Sequence, residues 1–322
     1  MESGTKQPDI SVIIPTFNRR EIVARTLAKI FTQSLDPFRY EVIVVVDGST
    51  DGTATMLRSL HPDCRLRIIE QVNRGLAGAR NTGYKAAIAE LVLFLDDDML
   101  SEPELLAAHI DAHQGQTRSV AFGALFLSED SPPGLAAECF RREIGAFHLE
   151  QRRNPGGGAW HPSYCVFSNT SLPRNLLEEV GGFDEAFRMR EDFELGIRLF
   201  RMGVSPIYLG NAIAHQYYVK GATDLIRNAE EFADADLLFA RKHPEVQGHL
   251  RLQMEKNRLK DHLRGVAAIW PAVSDVILTP LCRLGDVLFR FSLFRDLGVR
   301  ALQLQRGIHW QHRILEIRKR ES

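Results

Sequence analysis

Sulfur is scarce in this chain: four cysteines, Cys64, Cys139, Cys165 and Cys282, in 322 residues. None forms a CxxC pair or falls at zinc-finger spacing, so a zinc site and a disulfide framework are both disfavoured. A reducing, cytoplasmic compartment is the expectation. Long apolar runs are missing as well. No stretch of about 18 or more uninterrupted apolar residues occurs, so no transmembrane helix is predicted. The opening MESGTKQPDI lacks the basic-then-apolar form of a secretory signal. Net charge is almost absent, with 40 Lys and Arg against 41 Asp and Glu, and nothing in it points to nucleic acid as a partner. A GxGxxG directly after the first strand is also lacking, which disfavours a nicotinamide enzyme.

What is present is ordinary for a globular protein: 44% hydrophobic and 25% charged residues, enough for one large domain or two smaller ones. The near-zero charge conceals a division. From Arg241 to Ser322 there are 16 Lys and Arg against 8 Asp and Glu, a net of +8 that leaves −9 for the remainder. An acidic body with a basic end bears on partners.

The first third alternates in pattern. ISVIIPTFN (Ile10–Asn18) and YEVIVVVDGSTDGT (Tyr40–Thr53) are β-branched runs ended by polar turns, each followed by a helical pattern. CRLRIIEQV is a third strand, NRGLAGARNTGYKAAIAE a loop leading into a helix, and LVLFLDDD (Leu91–Asp98) a fourth strand. Continuous apolar strands between helices predict a mostly parallel sheet covered on both faces. Such sheets bind ligands at the carboxyl ends of their strands. Those ends carry Thr16, Phe17 and Asn18, then Asp47, Gly48 and Ser49, then Asp96, Asp97 and Asp98. Further on, SVAFGALFL is a strand, NLLEEVGG a helix closed near Gly181, and REDFELGIRLFRMG an amphipathic helix stopped by Gly203. Beyond about Ala222 the chain reads as helical, interrupted at Pro271 and Pro280.

Three adjacent carboxylates repel one another and are costly to bury unpaired. A divalent cation, Mg²⁺ or Mn²⁺, resolves that problem and suits oxygen ligands such as Asp96 and Asp98. The alternative is a solvated turn capping the helix of SEPELLAAH, a cap that Ser101 can also supply. Asp47, Ser49 and Asp51 form a tight polar turn that reads equally as an Asx turn, with Asp51 a helix cap, or as a nucleobase acceptor at Asp47. Arg74 and Arg80 sit among glycines, a composition suited to phosphate. Glu191 and Asp192 open a helix, where the dipole keeps a carboxylate ionised, as a general base requires; dipole complementation alone is the alternative. His215 is a candidate third metal ligand or a packed histidine.

In order and spacing, SVIIPTFNR, VIVVVDGSTDGT, NRGLAGARNTG, LVLFLDDDM, VGGFDE and REDFELGIRLFRMG resemble family 2 glycosyltransferases of the GT-A fold, over about Ile10 to Tyr218. The resemblance implies an α/β, Rossmann-like catalytic domain at 1–221, with a nucleotide-sugar half to about residue 100 and an acceptor half from 101, followed by a basic helical region at 222–322. It implies inverting, metal-dependent transfer of sugar from a nucleotide-sugar donor, UDP-linked by expectation, to an acceptor hydroxyl. Carried over residue by residue, Pro15, Thr16, Asn18, Asp47 and Ser49 line the nucleoside pocket. Arg74 and Arg80 contact nucleotide or donor sugar. Asp96 lies near the ribose, Asp98 is the direct metal ligand, and His215 is a further one. Asp97, grouped with the donor residues, points elsewhere and is replaceable. Asp192 is the base, supported by Glu191. The QxxRW element of processive members is absent, so transfer of one or few sugars is expected. Competing readings are a nucleotidyltransferase on a related fold, a non-catalytic nucleotide or sugar binder, which intact Asp-x-Asp and Glu-Asp elements argue against, and a dehalogenase-like phosphatase, whose motif belongs nearer the N-terminus.

Acceptor specificity is expected in the Gly- and Pro-rich stretch Arg152–Tyr164. In the basic end, Val287, Phe291, Phe294 and Leu297 fall near one helical face with arginines between them. That arrangement suits a peripheral membrane contact through 264–305, packing on the catalytic domain, or a homodimer contact.

Overall fold

The computed structural model describes residues 7–153, 166–244 and 271–321, with the backbone alone for 148–153 and 321. Cys165, the stretch 154–164 of the expected acceptor loop and residues 264–270 lie outside the described residues. The chain divides into two compact units. One holds the residues up to Asp130 and Ile144–Tyr217; the other holds Ser131–Glu143 and the residues from Tyr218 onward. Nothing in the sequence pattern marks Ser131–Glu143, where α5 (Leu135–Arg153) begins, as belonging with the C-terminal helices.

In the first unit, β1 (Ile10–Thr16), β2 (Tyr40–Asp47) and β4 (Leu91–Leu95) are buried along their whole length. Successive side chains enter opposite cores. Val12, Ile14, Val42, Val44 and Leu93 pack with Val23 and Leu27 of α1 (Arg20–Ile30) and Leu57 of α2 (Thr53–Arg58). Ile13, Ile43, Val45, Val92 and Phe94 pack with Ala77 and Ala79 of α3 (Gly75–Ala86), Leu176 and Leu177 of α6 (Arg174–Val180), and Leu195 and Leu199 of α7 (Glu191–Arg201). Burial on both faces is why these strands are unbroken apolar runs. Each fully buried Val or Ile contributes about 1.5–3 kcal/mol of transfer free energy. On the second face α3 lies so close that a Cβ on Gly83 would sit 2.3 Å from Ile13 Cγ2.

Four further strands complete the sheet: β3 (Arg65–Gln71), β6 (Ser119–Leu127), β7 (Asn169–Pro173) and β8 (Ser205–Gln216), with the short β5 (Met99–Ser101) at one edge. Among the described residues the order is β3-β2-β1-β4-β7-β6-β8-β5. The β3-β2-β1-β4 half is parallel. β7 runs antiparallel to β4 and β6, while β8 is parallel to β6 and antiparallel to β5. The result is a mixed sheet whose parallel strands β1 to β4 end on a common edge.

β5 departs from expectation. Ser101 does not cap a helix; it pairs with Ala214, and α4 (Leu105–Ala112) starts later with Glu104 at its cap. Met99 and Leu100 are 0% and 9% exposed, and extended pairing satisfies the backbone of a buried apolar segment. This pairing also brings residues 215–217 beside the aspartate run.

In the second unit, α8 (Ala222–Lys242), α9 (Pro271–Val287) and α10 (Ser292–Glu321) pack together. The residues before Pro271 lie outside the described residues, and Pro280 lies inside α9 and does not break it. Packing on α10 carries the helix past that point: Gln305 Nε2 donates to Asp275 at 2.6 Å, and Gly285 meets Gly298 closely enough that a Cβ on it would lie 2.8 Å from the Gly298 Cα. The helices part between Val287 and Ser292, so Val287 and Phe294 do not share one helical face as the spacing suggests.

Candidate active site

The carboxyl ends of β1, β2 and β4 are laced together by side chains from the turns beyond them. Asn18, in the left-handed region at φ 50°, donates its N–H to Ser49 Oγ at 2.9 Å, and its side-chain oxygen accepts from the Thr50 N–H at 2.8 Å. Asp51 accepts from the Arg20 N–H at 3.0 Å and the Thr53 N–H at 3.1 Å, tying the start of α1 to that of α2. Pro15 is buried within β1. Thr16 is 3% exposed and donates its hydroxyl to Asp97 Oδ2 at 2.7 Å, so its side chain serves the interior rather than the lining expected of it.

Asp47 ends β2 with its carboxylate turned to the start of α3. Oδ1 accepts from Gln71 Nε2 at 2.7 Å and the Arg74 N–H at 2.8 Å; Oδ2 accepts from the Gly75 N–H at 2.8 Å. Two orphan N–H groups of the helix terminus are thereby satisfied. A carboxylate offers about four acceptor positions, which leaves one on Oδ2. Arg74 reaches outward and forms an exposed pair with Glu185 at 2.7 Å.

The aspartate run is resolved residue by residue. Asp96 keeps 27% of its side chain exposed and pairs with Arg80 Nη2 at 2.9 Å. Asp97 is interior. It accepts from Thr16 and from Arg19 Nη1 at 2.5 Å, and burial pushes its pKa up to about 7 against the pull of Arg19. A side chain so engaged is a structural anchor, which corrects the expectation that it is replaceable. Asp98 accepts from Arg19 Nη2 at 3.0 Å and from Gln216 Nε2 at 3.2 Å, while its carbonyl accepts from the Tyr217 N–H at 2.8 Å. The mutual repulsion of the three carboxylates is met by two guanidiniums.

Arg80 departs furthest from expectation. Its guanidinium is not directed at solvent or phosphate. It is 2% exposed, and its two terminal nitrogens pair with Asp96 at 2.9 Å and Glu191 at 2.7 Å. Phe183 lies against it at 5.4 Å, within a T-shaped cluster with Phe94 and Phe167. Arg80 thus bridges the aspartate run and the Glu-Asp pair that opens α7.

Glu191 is 5% exposed, and burial, then the neighbouring Asp192, pushes its pKa up to about 7. Asp192 Oδ1 accepts the Phe193 N–H at 2.7 Å. Burial raises its pKa above the ordinary carboxylate value, with Arg80 opposing. That departs from the simple picture of a helix dipole holding it fully ionised.

His215 does not join the aspartates. Its Nε2 pairs with Glu102 at 3.0 Å and its ring tilts against Phe126 at 5.8 Å, while the next residue, Gln216, turns to Asp98. Alternation along β8 sends the two side chains to opposite faces. Among the described residues no group of three or more His, Cys, Asp or Glu side chains gathers to hold a metal. Arg19 and Gln216 have site contacts that sequence reading missed. Arg19 stands directly after the strand-end motif PTFN, a position that signals it; Gln216 carries no signal without the β5–β8 pairing.

The sequence model of the family described as glycosyl transferase family 2 matches residues 11–181. Validoxylamine A glucosyltransferase of Streptomyces hygroscopicus subsp. limoneus is 32% identical over 271 residues, covering 74% of this chain and 58% of that protein, so the chain spans less than two thirds of that relative's length. Among solved structures, the mannosyltransferase PcManGT of Pyrobaculum calidifontis, in complex with GDP-Man and Mn²⁺, superposes with a TM-score of 0.65 at 21% identity over 95% of this chain and 87% of its own. Residues 1–349 of S. aureus TarS, in complex with UDP, give a TM-score of 0.52 at 16% identity over 98% of this chain and 92% of that one. The structural likenesses place the mixed sheet among GT-A folds, and the family match runs over more than half of the chain: it belongs to glycosyl transferase family 2.

Proposed function

We propose that this chain is an inverting, metal-dependent glycosyltransferase that moves a single sugar from a nucleotide-sugar donor to an acceptor hydroxyl. The observation that carries the reading is the Arg80 bridge. It ties the strand-end carboxylates, where a donor diphosphate belongs, to the helix that opens with a buried pair of acids.

Roles follow from the chain's own chemistry. Asp192 takes the proton of the attacking hydroxyl. Its raised pKa makes it a stronger base than an exposed aspartate. Glu191 and Arg80 fix the start of α7, so that base and donor keep their spacing. The acceptor position left on Asp47 suits the imide N–H of a nucleobase. Uracil and guanine both present such a group, and UDP is the expected carrier. Asp96 and Asp98 are oxygen donors one residue apart. Among the described residues no third acid, histidine or cysteine joins them, so a cation would complete its shell with phosphate oxygens and water, as Mg²⁺ and Mn²⁺ do beside nucleotides. When bound, the cation supplies Lewis-acid stabilisation of the leaving diphosphate. A catalytic region that ends near residue 221, less the Ser131–Glu143 segment of the second unit, and a hydroxyl acceptor belong to the same proposal.

The test needs no acceptor. A panel of UDP- and GDP-sugars is incubated with the protein and Mn²⁺ or Mg²⁺, and slow release of free nucleotide is measured. The expected result is release from one donor class that stops on chelation. Release from none of the panel, with nucleotide still bound, would favour the non-catalytic reading.

A further inference from the structure

Exposed apolar surface is concentrated in one place. Of the fourteen large hydrophobic side chains that are exposed among the described residues, eight lie between Val273 and Leu297. On α9 the exposed positions are Val273, Val276, Ile277, Leu284 and Val287, at 40–78% exposure. At 100° per residue they fall within one narrow stripe. The buried positions Leu278, Cys282 and Gly285 lie on the opposite side, toward α10. The stripe continues past the helix end through Phe291, 51% exposed, to Leu293 and Leu297 near the start of α10, 74% and 43% exposed.

Charge around the stripe is sorted by sign. The acids of this region are engaged within their own unit. Asp275 accepts from Gln305 and faces His309, Asp286 accepts the Leu135 N–H at 2.8 Å, and Asp296 pairs with Arg142 at 2.5 Å. Three cations lie outward. Arg283 is exposed at the margin of the α9 stripe, Arg290 is exposed beside Phe291 in the turn, and Arg300 is exposed on the helical face of Leu293 and Leu297. Two copies of such a face would oppose arginine to arginine. An anionic, apolar surface complements it: hydrocarbon for the stripe, phosphate for the arginines.

We propose that the outer face of α9 and the following turn is a membrane-docking surface that lies in the headgroup region of an anionic bilayer. It is an interfacial surface, not a span, since no helix among the described residues is long and apolar enough to cross. The proposal is independent of the catalytic reading. It also shifts the apolar face foreseen from sequence: among the described residues the stripe includes Val273, Val276 and Ile277, uses Leu293, and leaves Phe294 half-buried.

The test is flotation of the full chain with phosphatidylcholine vesicles, with and without phosphatidylglycerol. The protein is expected to float with the anionic vesicles, less so at high salt, and weakly with phosphatidylcholine alone. Ile277→Glu with Leu284→Glu, both at exposed positions, should lower partitioning by about tenfold or more, because two buried aliphatic side chains become charges. Should that variant unfold, Arg283→Ala with Arg290→Ala, which leaves the apolar stripe intact, should lower anionic binding by about fivefold per arginine. Absence of flotation with either vesicle overturns the proposal. So does a dimer in solution whose mass halves in the glutamate variant while vesicles capture neither protein, since the face is then a contact between copies.

Discussion

At Arg80 a single guanidinium, 2% exposed, spans from Asp96 to Glu191. Removing it leaves Glu191 buried, and the partly exposed Asp96 beside it, without that counter-charge. Loss of one partner from a buried pair costs about 3–5 kcal/mol. Arg80→Ala is therefore expected to lower the denaturation midpoint by that free energy and to abolish donor hydrolysis. Arg80→Lys, with one ammonium in place of a two-pronged fork, should recover part of the stability but little of the activity. Urea titration and nucleotide release measure the two effects, and wild-type stability in Arg80→Ala would refute the bridge. Asp97→Ala should cost about 1–3 kcal/mol, because Thr16 and Arg19 lose their acceptor. A stability unchanged within error in urea titration would return Asp97 to the class of replaceable residues. The carboxylates of this site were visible in the sequence because acids directly after an apolar strand are conspicuous. Their partners were not. Arg80 looks like a phosphate ligand among glycines, and only the folded chain brings Glu191 and Phe183 to it and turns it inward.

At the scale of elements, α4 is held to the sheet by a directed chain of hydrogen bonds. Asn169 donates its amide N–H to Ala212 O at 3.0 Å, which leaves its oxygen to accept from His109 Nε2 at 2.9 Å. His109 Nδ1 must then accept from Ser171 Oγ at 2.8 Å. Ser171 accepts from His113 Nε2 at 2.9 Å, and His113 Nδ1 accepts from Ser119 Oγ at 3.0 Å. Both imidazoles are neutral, and burial lowers their pKa values to about 4. Between about 4 and the ordinary histidine value near 6.5, the unfolded chain binds protons that the folded one refuses. The stability contributed is whole above about pH 6.5 and is lost as the pH falls toward 4, on the order of 3 kcal/mol for fully buried His109. Asp97 and Glu191, raised to about 7, act in the opposite sense over this window, so the share of the histidines is read by calorimetry of wild type beside His109→Gln with His113→Gln: the wild-type thermal midpoint should lose more between pH 7 and 4 than that of the variant. The same pH dependence in both proteins would contradict the neutral chain. Helices and parallel strands were legible from apolar period and turn residues. β5 was not, because three residues carry no period and the strand exists through its pairing with β8. Pro280 misled in the other direction, because helix packing outweighed a local breaker.

For the whole molecule, one unit carries most of the residues that match glycosyl transferase family 2, and the other a basic helical end with an apolar outer stripe. The charge division visible in the sequence survives as a difference between units. The inclusion of Ser131–Glu143 in the second unit was illegible, since a short segment of ordinary composition carries no mark of which core it joins. The Glu-Asp pair at the start of α7 is proposed to supply the base for reaction at a nucleotide-sugar. Donor hydrolysis by wild type and Asp192→Asn in parallel tests this, with nucleotide binding to both followed by calorimetry in the presence of Mn²⁺. Nucleotide binding is expected to be unchanged and the rate lower by about 10²-fold or more in Asp192→Asn. Hydrolysis by that variant at the wild-type rate would contradict the proposal.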